Sequence, residues 1–407
     1  MKILLIHNNY GVYSGEERVV DQQIRLFHEM GHEVAVFRKT SEGLRDTLWG
    51  NLSGLLQGFY SPSSVREIKK IMQKNRPDVA IVHNLYPYIS PAVLKPVKQA
   101  NVPIIMTVHN FRLICPLGLF MRRAEPKPCE TCLQKGNEWP CIRYNCELNW
   151  VKSIGYAGRN WYARKTKAYI KNVDFYACIT QFQIEKLVEA GFDVQKMVHI
   201  SNFLDKIERY EPQLGDYVAV SGRLSKEKGV DLILQAAAQT PEIQYVFAGS
   251  PRAEEPVTEP VPSNCRFLGH ISKTELSDFY QKARFLVIAS RCYEGFPLTI
   301  LEIAEHAKPA ICPTHAGFLE IIDHEQTGLL FQPNNPDDLT EKIRTLWNDP
   351  ERCMAMGQNA LRKLDTHYTA EVVRRKWGRL FILIPTLNRN IRHINLTKRM
   401  NKRRRQS

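Results

Sequence analysis

Short runs of aliphatic and β-branched residues recur along this chain with room for one helix between successive runs, and that alternation constrains the fold more than any other feature. Residues 2–7 form the first run. A polar loop, Asn8 to Gly15, follows it, and then Val19, Val20, Ile24 and Phe27 recur at helical spacing. Gly31 closes that helix and residues 33–38 alternate as a strand. Similar runs occupy 79–83, 104–109 and 175–179. A polar stretch, 204–215, reads as a linker to a second series. Its strands are expected at 217–221, 245–249, 266–268, 284–289, 309–312 and 328–331, and its helices at 230–239, 273–282, 298–306 and 336–348. Continuous apolar strands alternating with helices belong to parallel sheets covered on both faces. The fold class is therefore α/β, with two Rossmann-like doubly wound domains, 1–204 and 215–366, facing a cleft. A further helix at 369–384, stopped by Pro385, lies in a segment 367–385 that crosses back to the first domain. With 407 residues, two cores are the default, and 43% hydrophobic content excludes disorder over most of the length.

Charge is unevenly distributed. The formal net charge is +14, yet twelve basic residues and no acid follow Glu371, so the body is nearly neutral and 386–407 is a basic tail. Such a tail suits an anionic membrane surface, a solvated role, or nucleic acid. The absence of aromatic residues after Phe381 disfavours single-strand nucleic-acid binding. The first strand turns polar at His7-Asn8-Asn9, too soon for a secretory apolar region, and the expected location is the cytoplasm, peripheral on the inner membrane face. In that compartment the ten cysteines are thiols or metal ligands rather than disulfides.

Four constellations fall at carboxyl ends of expected strands, where open α/β sheets bind ligands. Gly15 and the loop before it admit a phosphate or sugar to backbone N–H groups at a helix start. Arg223 and Lys228, set between Gly222 and Gly229, can point at one diphosphate. Glu294 and Glu302 flank Gly295-Phe296-Pro297-Leu298-Thr299, whose free N–H groups and carboxylates can hold sugar hydroxyls and phosphate. His109 ends a strand and can face the cleft to orient a hydroxyl or meet developing charge.

These residues resemble the retaining glycosyltransferases of family 4 (group 1), which have the two-domain GT-B architecture. The likeness covers about residues 1–385: Glu294 and Glu302 match the family's Glu-seven-residues-Glu motif, and Gly222-Arg223-Leu224 with Lys228-Gly229 matches its diphosphate segment. Thr314 to Gly317 with Glu320, Thr327 to Leu330, and the stretch from Gly15 to Val20 match as well, with Ser14 where a second glycine is usual. The resemblance implies a nucleotide-sugar donor held by the second domain without a catalytic metal or other required cofactor. Arg223 and Lys228 would neutralise the diphosphate, Glu302 would hold the ribose, backbone near His270 and Ile271 would meet the base, Glu294 would bind the sugar, and His109 would approach from the first domain. It also implies a saccharide or lipid-linked saccharide acceptor in polysaccharide, lipopolysaccharide or exopolysaccharide synthesis. The rival readings are a GT-B phosphorylase, an epimerase or hydrolase acting on sugars, and a non-catalytic binding module.

Segment 112–150 holds Cys115, Cys129, Cys132, Cys141 and Cys146. It reads as a loop with little core of its own, and it resembles a cysteine-bearing insertion found in part of that family. A structural zinc at Cys115, Cys129, Cys132 and Cys146, free thiols, and a redox pair are the alternatives.

Overall fold

The structure, a computed structural model, describes residues 1–10, 14–40, 48–251 and 260–384. The first six strands are β1 (Lys2–Asn9), β2 (Glu33–Thr40), β3 (Val79–Val82), β4 (Ile104–Val108), β5 (Phe175–Cys178) and β6 (Met197–His199). They pair in parallel in the order β2-β1-β3-β4-β5-β6. Successive residues serve opposite faces: Leu4 and Ile6 enter one core with Ala80 and Val82, while Ile3 enters another with Val79 and Ile81. Both faces are therefore apolar, which is why these strands read as unbroken runs.

Among the described residues nine helices accompany this sheet: α1 (Gly15–Glu29), α2 (Leu48–Phe59), α3 (Pro62–Lys74), α4 (Leu94–Gln99), α5 (Thr131–Gln134), α6 (Trp139–Arg143), α7 (Trp150–Lys165), α8 (Ala168–Asn172) and α9 (Gln181–Glu189). Ser14 caps α1 and forms a capping box with Glu17, so the residue standing where a glycine is usual starts the helix through its side chain.

The second sheet is built from β7 (Tyr217–Ser221), β8 (Tyr245–Ala248), β9 (Cys265–Gly269), β10 (Ala283–Val287), β11 (Ala310–Pro313) and β12 (Gly328–Phe331). Its order is β12-β11-β10-β7-β8-β9, again all parallel. The helices are α10 (Val230–Gln239), α11 (Lys273–Lys282), α12 (Leu298–Glu305), α13 (Phe318–Ile321), α14 (Pro336–Asn348) and α15 (Pro350–His367). Strand order reverses between β1 and β3 in one sheet and between β7 and β10 in the other, the points where such sheets open a crevice.

The last described helix, α16 over 370–384, packs Val373, Trp377, Leu380, Phe381 and Ile384 against Ile3, Phe27 and Ile81 of the first domain. The chain thus crosses between domains twice. The crossings touch: Leu204 bridges Thr369, and Leu204 N–H donates to the Tyr368 carbonyl at 3.1 Å.

One expectation needs correction. Segment 112–150 is not a coreless loop: Phe111, Phe120, Leu117, Leu133, Cys115, Cys141 and Cys146 form a core of their own with Ala157 of α7. Buried cysteine behaves as a small apolar residue, so these thiols contribute to that core.

Candidate active site

At the β7/β10 switch point the chain ends of three strands converge on glycines. Gly222 has φ +121, and a Cβ on Gly249 would lie 1.8 Å from the Gly222 carbonyl oxygen. Gly249 N–H donates to Gly269 O at 2.7 Å. This close approach fixes the loop carrying Arg223 and Lys228. The Lys228 ammonium is ion-paired with the Glu294 carboxylate, which also accepts from Ser290 Oγ at 2.7 Å. Burial works against the Lys228 charge, but Glu294 outweighs it and holds the amine above its ordinary value. Burial likewise pushes Glu294 up, and Lys228 with the Ser290 hydrogen bond brings it below the usual carboxylate range. Arg223 is ion-paired with Glu227.

Glu302, on α12, is buried and ion-paired with Arg18 on α1, so this pair spans the two domains. Tyr280 OH donates to Glu302 Oε2 at 2.9 Å. Pro297 precedes α12 as its N-cap residue, which leaves the first N–H groups, from Leu298 and Thr299, without intrahelical acceptors. A Cβ at Gly295 would lie 2.9 Å from the His109 carbonyl oxygen, and Asn202 Nδ2 donates to Phe296 O at 3.1 Å. The Glu294 loop therefore lies directly against the first domain. His270 and Ile271 follow β9 at the same end of the sheet, with His270 exposed.

On the opposite wall His109 lies just past β4, and its Nε2 is 2.7 Å from Nδ1 of His83, which lies just past β3. His7, on β1, meets His83 edge to face with centroids 5.9 Å apart. Burial keeps all three neutral: it lowers His109 to about 4, lowers His7 to about 3 with the charges of His109 and Arg38 adding to it, and depresses His83. Neutral His109 can donate or accept without carrying charge, so it can meet a sugar hydroxyl in either sense. Beside it Glu16 accepts from Tyr10 OH at 3.1 Å and from Asn110 Nδ2 at 3.3 Å, while Arg112 bonds the Tyr10 hydroxyl. Burial raises Glu16 to about 7 despite Arg112. Gly15 opens α1 with free space where a Cβ would stand, and residues 11–13 of the expected loop lie outside the described residues.

Sequence reasoning placed His109, Arg223, Lys228, Glu294 and Glu302 at these strand ends. It missed Arg18, Glu16, His83, Arg112 and Glu227. Arg18 lies within the family-like stretch from Gly15 to Val20, one helical turn past Gly15, and that placement is the signal the sequence carries for it.

The cysteine-bearing segment borders this site. Tyr293, next to Glu294, donates its N–H to Leu119 O at 3.1 Å and packs with Phe120 and Phe182. Arg123 Nη1 is 3.1 Å from Glu227 Oε2. Of the four thiols expected to hold zinc, Cys115, Cys132 and Cys146 lie close enough to shift one another's ionisation, with Cys141 among them. Cys129 accepts from Arg122 Nε at 3.3 Å, whereas Cys115 and Cys146 lie in the apolar core. Among the described residues no three His, Cys, Asp or Glu side chains are grouped to hold a metal ion.

Two family models match the chain in tandem: "Glycosyltransferase Family 4" over residues 13–206 and "Glycosyl transferases group 1" over 206–363. The chain belongs to this glycosyltransferase family. It is 24% identical over 378 residues to the sulfoquinovosyl transferase SQD2 of Arabidopsis thaliana, covering 86% of this chain and 67% of that protein. It is 27% identical over 191 residues to the O-antigen chain mannosyltransferase C of Escherichia coli, covering 46% of this chain and 51% of the relative. The chain spans between 51% and 67% of the length of the first curated relatives it matches. Anabaena HepE, solved in complex with UDP, superposes with a TM-score of 0.65 at 16% identity, covering 94% of this chain and 99% of HepE. That likeness establishes the GT-B fold of this glycosyltransferase.

Proposed function

We propose that this glycosyltransferase moves a sugar from a nucleotide-sugar donor, with retention and without a metal, onto a saccharide that is lipid-linked during surface polysaccharide synthesis. The observation that carries the reading is the pairing of Lys228 with Glu294 at one switch point, with Arg223 alongside, opposite the neutral His109 of the other domain. The UDP bound by HepE and the sugar-transferase activities of SQD2 and the O-antigen chain mannosyltransferase C support it.

The two cations expected at the diphosphate are each held by an acid, Glu227 for Arg223 and Glu294 for Lys228. An arriving diphosphate offers both a stronger anionic partner. Glu294 is then released to accept from hydroxyls of the sugar, and Glu302 is placed to accept from the ribose. As the bond between the anomeric carbon and the phosphate oxygen breaks, negative charge grows on the leaving diphosphate, where Arg223 and Lys228 stabilise it more than in the ground state. The acceptor oxygen bonds the anomeric carbon on the same face, and its proton passes to the leaving phosphate oxygen. His109 orients the sugar, and the close contact of the domains excludes water. The basic tail, outside the described residues, would add attraction to anionic lipid.

The test is a panel of nucleotide sugars in thermal-shift assays without added metal. One donor should raise the unfolding midpoint, and Glu294→Ala should weaken that shift by roughly tenfold or more in ligand concentration. No stabilisation by any donor, with or without a saccharide acceptor, would defeat the reading.

A further inference from the structure

Helix α7 is inside out. Its buried side carries Ser153, Gly155, Ala157, Arg159, Asn160 and Ala163, which are small or polar. Its large apolar residues face solvent: Trp150 is 56% exposed, Val151 67%, Ile154 52% and Trp161 50%. Their spacing places them on one face, within about a third of a turn of each other. Helix α2 extends the same surface. Gly155 and Gly158 leave no room for a Cβ beside Leu55 and Phe59, so α2 lies close against α7 and presents Leu56 to solvent, with Tyr60 exposed just past its end. No charged residue occurs in α2. Monomeric soluble proteins rarely leave so many large apolar side chains together on one face.

Within α7 and α8 every charge is basic, and one of them, Arg164, is ion-paired with Glu138 beside α6. Residues 148–173 contain no acid, and Lys152, Lys165, Lys167 and Lys171 are all exposed. Tryptophan and tyrosine beside lysine, with aliphatic residues between, is the chemistry of a helix lying in the headgroup layer of a membrane. A protein partner matching this surface would have to be both apolar and acidic. No helix among the described residues is long and apolar enough to cross a membrane, so contact of this kind would be at the interface.

We propose that the outer face of α7, with Leu56 and Tyr60, docks on the interfacial layer of an anionic bilayer. The inner face of α7 backs the acceptor-side polar cluster: Asn160 Nδ2 donates to Arg112 O at 2.7 Å. Docking there sets the mouth of the cleft beside the lipid surface. The inference rests on the folded body and is independent of both the donor reading and the tail.

The test uses full-length protein and vesicles of phosphatidylglycerol with phosphatidylethanolamine. A variant with Trp150, Val151, Ile154 and Trp161 all replaced by serine should lose vesicle partition by roughly tenfold. The protein cut after Ile384 should keep a partition that the same four substitutions abolish. Brominated lipid should quench tryptophan emission in the unsubstituted protein, which gives a readout requiring no variant. An unchanged unfolding midpoint checks that the variant is folded, and Ile154→Lys alone replaces it if it is not. Equal partition of variant and parent overturns the proposal, as does binding that vanishes with the tail alone. A dimer that the substitutions dissociate, with vesicle partition unaffected, also overturns it and assigns the face to a second copy.

Discussion

Replacing His7 by glutamine tests whether the histidines at the mouth of the first sheet are held neutral. Burial, with the charges of His109 and Arg38, depresses His7 to about 3. In an unfolded chain histidine titrates near ~6.5. The folded value lies below the unfolded one, so the stabilisation is complete above about pH 6.5 and is lost as pH falls toward 3. Linkage between those values gives a loss of about 2 kcal/mol from this one group between pH 7 and pH 5. Glu16 acts in the opposite sense. Its folded value of about 7 exceeds its unfolded one, so it favours the folded state as pH falls through that window. The raw pH profile mixes the two, and the difference between parent and variant isolates His7. Urea unfolding at pH 7 and pH 5, followed by circular dichroism, should show the parent losing about 2 kcal/mol more than His7→Gln. Equal losses would refute the reasoning, as would an NMR titration placing the His7 ring near its unfolded value.

Trp377→Ala removes the largest side chain by which α16 holds the first domain and should cost about 3–5 kcal/mol of its stability in denaturant titration. Arg18→Met breaks the ion pair with Glu302 across the cleft; small-angle scattering should show a larger radius of gyration than in the parent, and an unchanged profile would count against the pair as a closing contact. His83→Phe keeps a ring but removes the nitrogen that meets His109 Nε2, and turnover should fall roughly tenfold with little change in KM, an effect that a neutral hydrogen-bonding replacement, His83→Asn, should partly restore.

The alternation of strands and helices was legible because each central strand is buried on both faces, so Leu4, Leu5 and Ile6 read as one apolar run. The edge strand β6 was not, since its three residues are only partly buried and carry little apolar signal. Glu294 and Glu302 were legible because they flank a glycine and proline at a helix start. Their partners were hidden by distance along the chain. Arg18 lies 284 residues from Glu302 and meets it only where the two domains come together, while Lys228 lies 66 from Glu294 and meets it because β7 and β10 are neighbours in one sheet. The cysteines were countable, but counting does not reveal that Cys115 and Cys146 sit among Phe111 and Phe120. Helical spacing in α7 was equally visible, yet which face turned inward depended on Leu55 and Phe59 from a helix about a hundred residues earlier.

The contact between the two crossings has a mechanical consequence. Because Leu204 and Thr369 are bridged, the domains are joined at one double-stranded point rather than by two independent tethers. Such a joint bends easily about one axis and resists twist and sliding. Lengthening the linker at 206–214 would leave that axis where it is, because the pin lies before the linker begins. A joint of this kind would return the loop carrying Lys228 to the same alignment with His109 on closure, with an accuracy set by two backbone segments far from any ligand.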